Sequence, residues 1–203
     1  MYLLLCPCIN NPGLRAAGIT HERDREAFER VHARCERFGI PVRCLPCPET
    51  IFLGNDRQPA TYTERLDTPA FLSVLDQCEQ EVRGIMAESG PPYLIVGVDS
   101  SPTCGANRTW WSPEGRRPGR GVFLSRFPEI MVRDVYAAAA WRVYLAGPLF
   151  SHAEREWNLS IASRLGEYAY RVYLPQETGD TDSSRGNDAF REIFRANLEA
   201  LEA

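Results

Sequence analysis

The sequence predicts an α/β protein: a parallel-sheet α/β domain followed by a partial Rossmann-like, doubly wound α/β unit. Three observations predict it. The apolar runs Tyr2-Leu-Leu-Leu5, Ile40-Pro-Val42 and Tyr93-Leu-Ile-Val96-Gly-Val98 have the length of buried strands. Segments with helical spacing separate them, the alternation that builds a parallel sheet. Past the alanine run at 137–140 the same alternation restarts.

Taken in order, the first strand leads into Asn10-Asn11-Pro12-Gly13, which reads as loop. A helix over 22–38 follows, with Phe28, Val31, Cys35 and Phe38 at three-and-four spacing and Gly39 to stop it. The second strand covers 40–44. Residues 48–65 read as irregular, because no helical pattern follows Cys47. Thr68-Pro69 reads as an N-cap with proline in the first turn, opening a helix to residue 87 that carries Phe71, Val74, Leu75, Cys78, Val82 and Ile85 on one face. The third strand follows Pro91-Pro92. Residues 99–121, rich in Ser, Pro, Gly and Arg, read as one long loop of the kind that carries function. A short helix at 122–127 and a strand at 130–135 close a first domain, 1–136. A strand at 142–145, a tight Ala146-Gly147-Pro148 turn, a helix at 151–168, a strand at 170–174 and a helix at 188–202 form a second, 141–203. A unit of roughly 60 residues buries too little surface to stand alone. It is expected to dock on the first domain or on a partner chain, or to be the start of a longer domain, and its open sheet edge favours a homo-oligomer.

The 203 residues, 44% hydrophobic and 25% charged, suffice for a real core. A net charge of -4 argues against general nucleic-acid or membrane-surface binding, which needs a basic face, and points to a small-molecule ligand. All 23 basic residues are arginine, which excludes Schiff-base and P-loop lysine chemistry. No apolar stretch approaches the roughly 18 residues of a membrane span, and no basic leader precedes the first strand, so a cytoplasmic protein is expected. The seven cysteines are odd in number and all lie at or before position 104, which in a reducing compartment favours metal binding or catalysis over disulfides.

Cys35 and Cys78 fall on the apolar faces of their helices and read as core residues. Cys6-Pro-Cys8, Cys44-Leu-Pro-Cys47-Pro-Glu49 and Ser101-Pro-Thr-Cys104-Gly105 instead begin where strands end. In an open parallel sheet the ligand crevice lies there, so the three motifs are expected to share one site. A zinc site, a dithiol pair at Cys44 and Cys47, and an iron-sulfur cluster are all compatible with the spacings. The cluster leads on chemistry, because three thiolates leave one iron open to substrate. Glu49 would stand beside the metal, where a carboxylate can activate water. Ser101 is placed to hydrogen-bond a substrate or a developing anion, or else to cap its loop. Trp110-Trp111 offer planes for stacking or for the core.

These three motifs, with Gly119-Arg120-Gly121-Val122-Phe123, resemble the thiouracil desulfidase family over residues 1–135. The resemblance implies a [4Fe-4S] cluster held by Cys8, Cys47 and Cys104, with Glu49 and Ser101 in catalytic roles and a thiolated nucleobase as substrate. Cys6 and Cys44 depart from the family pattern, and Cys6 competes with Cys8 as the first ligand. The run Val143-Tyr-Leu-Ala-Gly147-Pro148-Leu-Phe150-Ser151-His152-Ala153-Glu154, then Asn158 and Leu174-Pro175-Gln176-Glu177, is similar to the start of a nucleoside 2-deoxyribosyltransferase. That resemblance implies that Gly147, Pro148 and Phe150 line a nucleoside pocket and that Gln176 reads the base edge. The family's catalytic glutamate has no counterpart among Glu154, Glu156 and Glu177, so no glycosyl-enzyme chemistry is expected of this chain alone. Together the two imply desulfuration of a thiolated base or nucleoside in salvage. The alternatives are deoxyribosyl transfer or N-glycosidic hydrolysis by a longer parent chain, and a non-enzymatic, metal-stabilised nucleoside-binding module.

Overall fold

The computed structural model describes residues 2–140, 142–167, 170–177 and 186–202. The chain divides into two compact units, Met1–Ala139 and Ala140–Ala203. The first is an α/β unit built on β1 (Leu3–Leu5), β2 (Val42–Cys44), β3 (Leu94–Gly97) and β6 (Val132–Asp134), all parallel in the order β2-β1-β3-β6. Leu3 stands in register with Val42 on one side and Leu94 on the other. From β1 the chain steps out to β2 through α2 (Glu22–Arg37), then returns past β1 to β3 through α5 (Pro69–Ser89). Right-handed crossovers in opposite directions put these two helices on opposite faces, which buries the central strands from both sides. Leu4, Leu5, Ile95 and Val96 accordingly have no exposed surface. The direction of progress reverses between β1 and β3, and the crevice of such a sheet opens at the carboxyl ends beside that reversal.

The helix faces match their spacing: Phe28, Val31 and Cys35 of α2, and Phe71, Leu75, Cys78 and Val82 of α5, are buried in one core. The Thr68 hydroxyl accepts the Phe71 N–H at 3.2 Å, and Pro69 is the first residue of α5.

Four local expectations are corrected. The segment after β1 starts a helix at once, α1 (Pro7–Asn10), and Pro12–Leu14 forms a 3-10 turn. Residues 48–65 hold α3 (Pro48–Leu53) and α4 (Tyr62–Arg65). Both are too short to show a period, yet Pro48 at the first helical position and the Thr61–Glu64 capping box are start signals. The long loop 99–121 contains a hairpin, β4 (Arg108–Ser112) and β5 (Gly115–Pro118). Its Trp111 ring stacks on Tyr62 at 4.4 Å, with the Arg117 guanidinium over the Trp111 ring itself. Finally, the strand expected to reach residue 135 ends at Asp134, and α6 (Val135–Ala139) follows directly.

The second unit pairs β7 (Arg142–Tyr144) with β8 (Arg171–Tyr173) in parallel, joined by α7 (His152–Glu167) and followed by α8 (Gly186–Glu202). This is the strand-helix-strand-helix order expected. The expected helix end at 168 and most of the polar loop beyond 177 lie outside the described residues. Asn158 is buried and donates to the Pro148 carbonyl at 3.0 Å and to Gln176 Oε1 at 3.2 Å. A Cβ on Gly147 would sit 2.2 Å from Asn158 Oδ1, so glycine is required for the turn to close on that amide.

Candidate active site

The carboxyl ends of β1, β2 and β3 release the chain into the motifs that carry the chemistry. Cys6 caps α1 and is fully buried, while Cys8, one residue into that helix, faces a cavity of about 450 Å³. Cys47, capping α3, and Cys104, in the loop after β3, face the same cavity, as do Glu49 and Ser101. All five residues singled out in the N-terminal motifs thus meet at one place. Cys44 is exposed and takes a hydrogen bond from Asn10 Nδ2; it is not among the cavity residues. Cys47 does open a helix, against expectation, but its would-be dithiol partner faces elsewhere.

The loop after β3 is held by its own polar groups. Asp134 Oδ1 accepts the Asp99 N–H at 2.8 Å, and Asp99 Oδ1 accepts Ala106 N–H at 3.0 Å and Asn107 N–H at 2.8 Å. Ser100 lies in the left-handed region at φ 71°, a costly conformation for a non-glycine residue that this network sustains. Gly121 crosses directly over the motif, donating to the Gly105 carbonyl at 2.9 Å. A Cβ at Gly121 would lie 2.3 Å from the Thr103 carbonyl carbon, and one at Gly105 2.5 Å from the Arg108 oxygen. Gly105 and Gly121 therefore serve close backbone packing around Cys104.

The Ser101 hydroxyl is fully engaged. It donates to Glu49 Oε1 at 3.2 Å and accepts the N–H groups of Thr103 at 3.3 Å and Cys104 at 3.0 Å, which is the whole capacity of a hydroxyl. The Thr103 hydroxyl, fully buried, donates to the same Glu49 oxygen. On the other side Arg57 Nε stands 3.3 Å from Glu49 Oε2. Sequence reasoning did not find Thr103 or Arg57. Thr103 sits inside a recognised motif, but Arg57 is one of many arginines in a stretch without pattern.

The thiols oppose one another's ionisation. Cys6 and Cys104 share a hydrogen bond that draws Cys6 down and drives Cys104 up; burial and the other thiols carry both above the ordinary cysteine range. Burial also pushes Cys8 well up, helped by Cys104. Across the cavity the Asp24 carboxylate meets Arg15 at 3.0 Å and accepts the Tyr136 hydroxyl. Burial works to raise Asp24, but these partners and the His21 N–H hold it below its usual range, while burial and Asp24 push Tyr136 up to about 12. Asp24 keeps the same three-and-four spacing as Phe28, Val31 and Cys35, so an acid on a core-facing stripe was the available signal. Among the described residues no three His, Cys, Asp or Glu side chains stand close enough to share one metal ion.

Of the residues expected in the second unit, Phe150 is 92% exposed, and Gln176 has its amide engaged at both ends, donating to the Arg155 carbonyl at 3.0 Å and accepting from Asn158. Gly147 and Pro148 form the turn packed on Asn158.

The model of the family described as nucleoside 2-deoxyribosyltransferase like matches residues 140–203. No curated protein matches the chain. Among solved structures, the chain is similar to the [4Fe-4S]-dependent thiouracil desulfidase TudS at 15% identity, covering 66% of this chain and 89% of that one with a TM-score of 0.45. The resemblance carried by the motifs at 143–177 is thus met by the family model. No helix among the described residues is long and apolar enough to cross a membrane.

Proposed function

We propose that the chain is a [4Fe-4S]-dependent enzyme that hydrolyses the carbon-sulfur bond of a thiolated nucleobase or nucleoside. The observation that carries this reading is the convergence of Cys8, Cys47, Cys104 and Glu49 on one cavity at the carboxyl ends of β1, β2 and β3. The donor set fits a cluster. Three thiols, Cys8, Cys47 and Cys104, face the one cavity, and three thiolates would hold such a cluster while leaving one iron open to substrate. Buried thiols that oppose one another's deprotonation also suit a cationic group, which would displace their protons on binding. When bound, the cluster would supply a Lewis-acidic iron for the thiocarbonyl sulfur.

The remaining chemistry belongs to this chain. Glu49 takes a proton from water, the water oxygen bonds to the carbon bearing sulfur, and the sulfur leaves as hydrosulfide, so that C=S and water become C=O and hydrogen sulfide without any redox change. Ser101 has no donor left for substrate while it holds Glu49, so we assign it to positioning Glu49 and the Cys104 backbone. Seven free cysteines support a reducing, cytoplasmic setting.

The test is anaerobic purification followed by iron and sulfide analysis and an assay of sulfide release from thiouracil and thionucleosides. About four irons and four sulfides per chain, as this cluster type requires, with sulfide release, support the reading; zinc, or a loaded cluster with no release from any thiolated base, overturns it. For the C-terminal unit we infer nucleoside binding, supported by the family match at 140–203. Stabilisation by a deoxynucleoside supports this, and unchanged thermal unfolding with every deoxynucleoside overturns it.

A further inference from the structure

Arg57 is 5% exposed, and its guanidinium faces four acceptors. Nε stands 3.3 Å from Glu49 Oε2; Nη1 donates to Thr50 Oγ1 and to the Gly54 carbonyl, each at 3.1 Å; Nη2 donates to the Leu14 carbonyl at 2.7 Å. These partners come from the first turn of α3, from the residue that ends α3, and from the 3-10 turn after α1. One planar group therefore joins the helix that carries Glu49 to the turn beyond Cys8. The backbone adds to this, since the Ala17 N–H donates to the Arg57 carbonyl at 2.9 Å.

The consequence falls on Glu49. Its Oε1 is taken by the hydroxyls of Ser101 and Thr103, and its Oε2 faces Arg57, so neither oxygen can turn without losing a partner. The Ser101 and Thr103 hydroxyls bring the carboxylate to the loop of Cys104, and Arg57 opposes them from the far side. We propose that Arg57 is a further positioning residue of this site, setting the orientation of the Glu49 carboxylate in the cavity from the side opposite Ser101 and acting on the reaction only through it. The proposal rests on the desulfuration reading. A lysine keeps the charge but concentrates its donors at one point, and it cannot span Glu49, Gly54 and Leu14 in the fork that guanidinium provides.

The test is a double-mutant cycle in the full chain, prepared without oxygen: the parent, E49Q, R57Q and E49Q/R57Q, with R57K beside them. Iron and sulfide content, thermal unfolding, and kcat and KM on thiouracil are measured for each. R57Q is expected to keep its iron and sulfide and to hold KM within about threefold while kcat falls about tenfold or more, with R57K between it and the parent. In the E49Q background the same change is expected to cost less than about threefold, because the group it acts through is gone. Equal losses in both backgrounds, or a loss confined to iron content or KM, overturn the proposal and leave Arg57 a structural tie. If R57Q does not unfold cooperatively, R57K and E49Q/R57K carry the same comparison. A loaded parent that releases no sulfide from any thiolated base overturns the desulfuration reading itself, and Arg57's role with it, before any variant is compared.

Discussion

Glu49 shows how much of the site lies in single side chains. Its carboxylate accepts from Ser101 and Thr103 and pairs with Arg57. Glu49→Gln leaves shape and volume nearly unchanged but removes the base, so cluster content is expected to stay while kcat drops by about 100-fold or more; unchanged turnover by the cluster-loaded variant sinks the assignment. Of the two thiols in the first motif, Cys8 is among the cavity residues, while Cys6 is fully buried and hydrogen-bonded to Cys104. Of the adjacent pair Trp110-Trp111, Trp110 faces the cavity and Trp111 stacks on Tyr62. Both distinctions depend on which way a helix start or a strand turns, and two residues so close in sequence cannot encode that by themselves.

At the scale of elements, start and stop signals were the most readable feature. Thr68-Pro69 opens α5 where expected, and Thr68→Ala is expected to cost about 1 kcal/mol by leaving the Phe71 N–H without its acceptor; chemical denaturation reads the loss. The short elements were not readable. α1, α3 and α4 have too few turns for a period, and the β4–β5 hairpin is formed by contacts such as Trp111 on Tyr62 that link segments far apart in sequence. The crossing of Gly121 over Thr103 and Cys104 belongs to this scale too. Gly121→Ala puts a methyl into backbone 2.3 Å away and is expected to destabilise by about 2 kcal/mol. It should also lower the iron retained after anaerobic purification, since Cys104 must shift; full iron at parental stability would show the crossing to be unimportant.

Across the whole molecule, several of the polar contacts that join distant stretches of unit one lie at the cavity: Asp24 with Tyr136, Glu49 with Ser101 and Thr103, Arg57 with Leu14. Tyr136→Phe removes a hydrogen bond to a charged acceptor and is expected to cost about 2 kcal/mol near neutral pH. The sign of its pH dependence follows from the raised value. Tyr136 titrates near 12 in the folded protein against an ordinary 10, so its contribution is full below about 10 and is lost as pH rises toward 12. Urea unfolding should therefore show the gap between parent and variant closing over that window; a constant gap would mean that the phenol and Asp24 are not coupled. The sequence by itself determined the α/β class, the parallel strands, the two restarting patterns and the three cysteine motifs, because periodicity, caps and strand-end placement are local properties of a chain. Only the tertiary structure decided which thiols share a cavity, that Ser101 spends its hydroxyl on Glu49, and that Arg57 and Asp24 belong to the wall, because these depend on strand order and on which loops meet across the sheet. No sequence distance carries that information: Ser101 and Glu49 are brought together because β2, which precedes Glu49, and β3, which precedes Ser101, flank β1 in one parallel sheet.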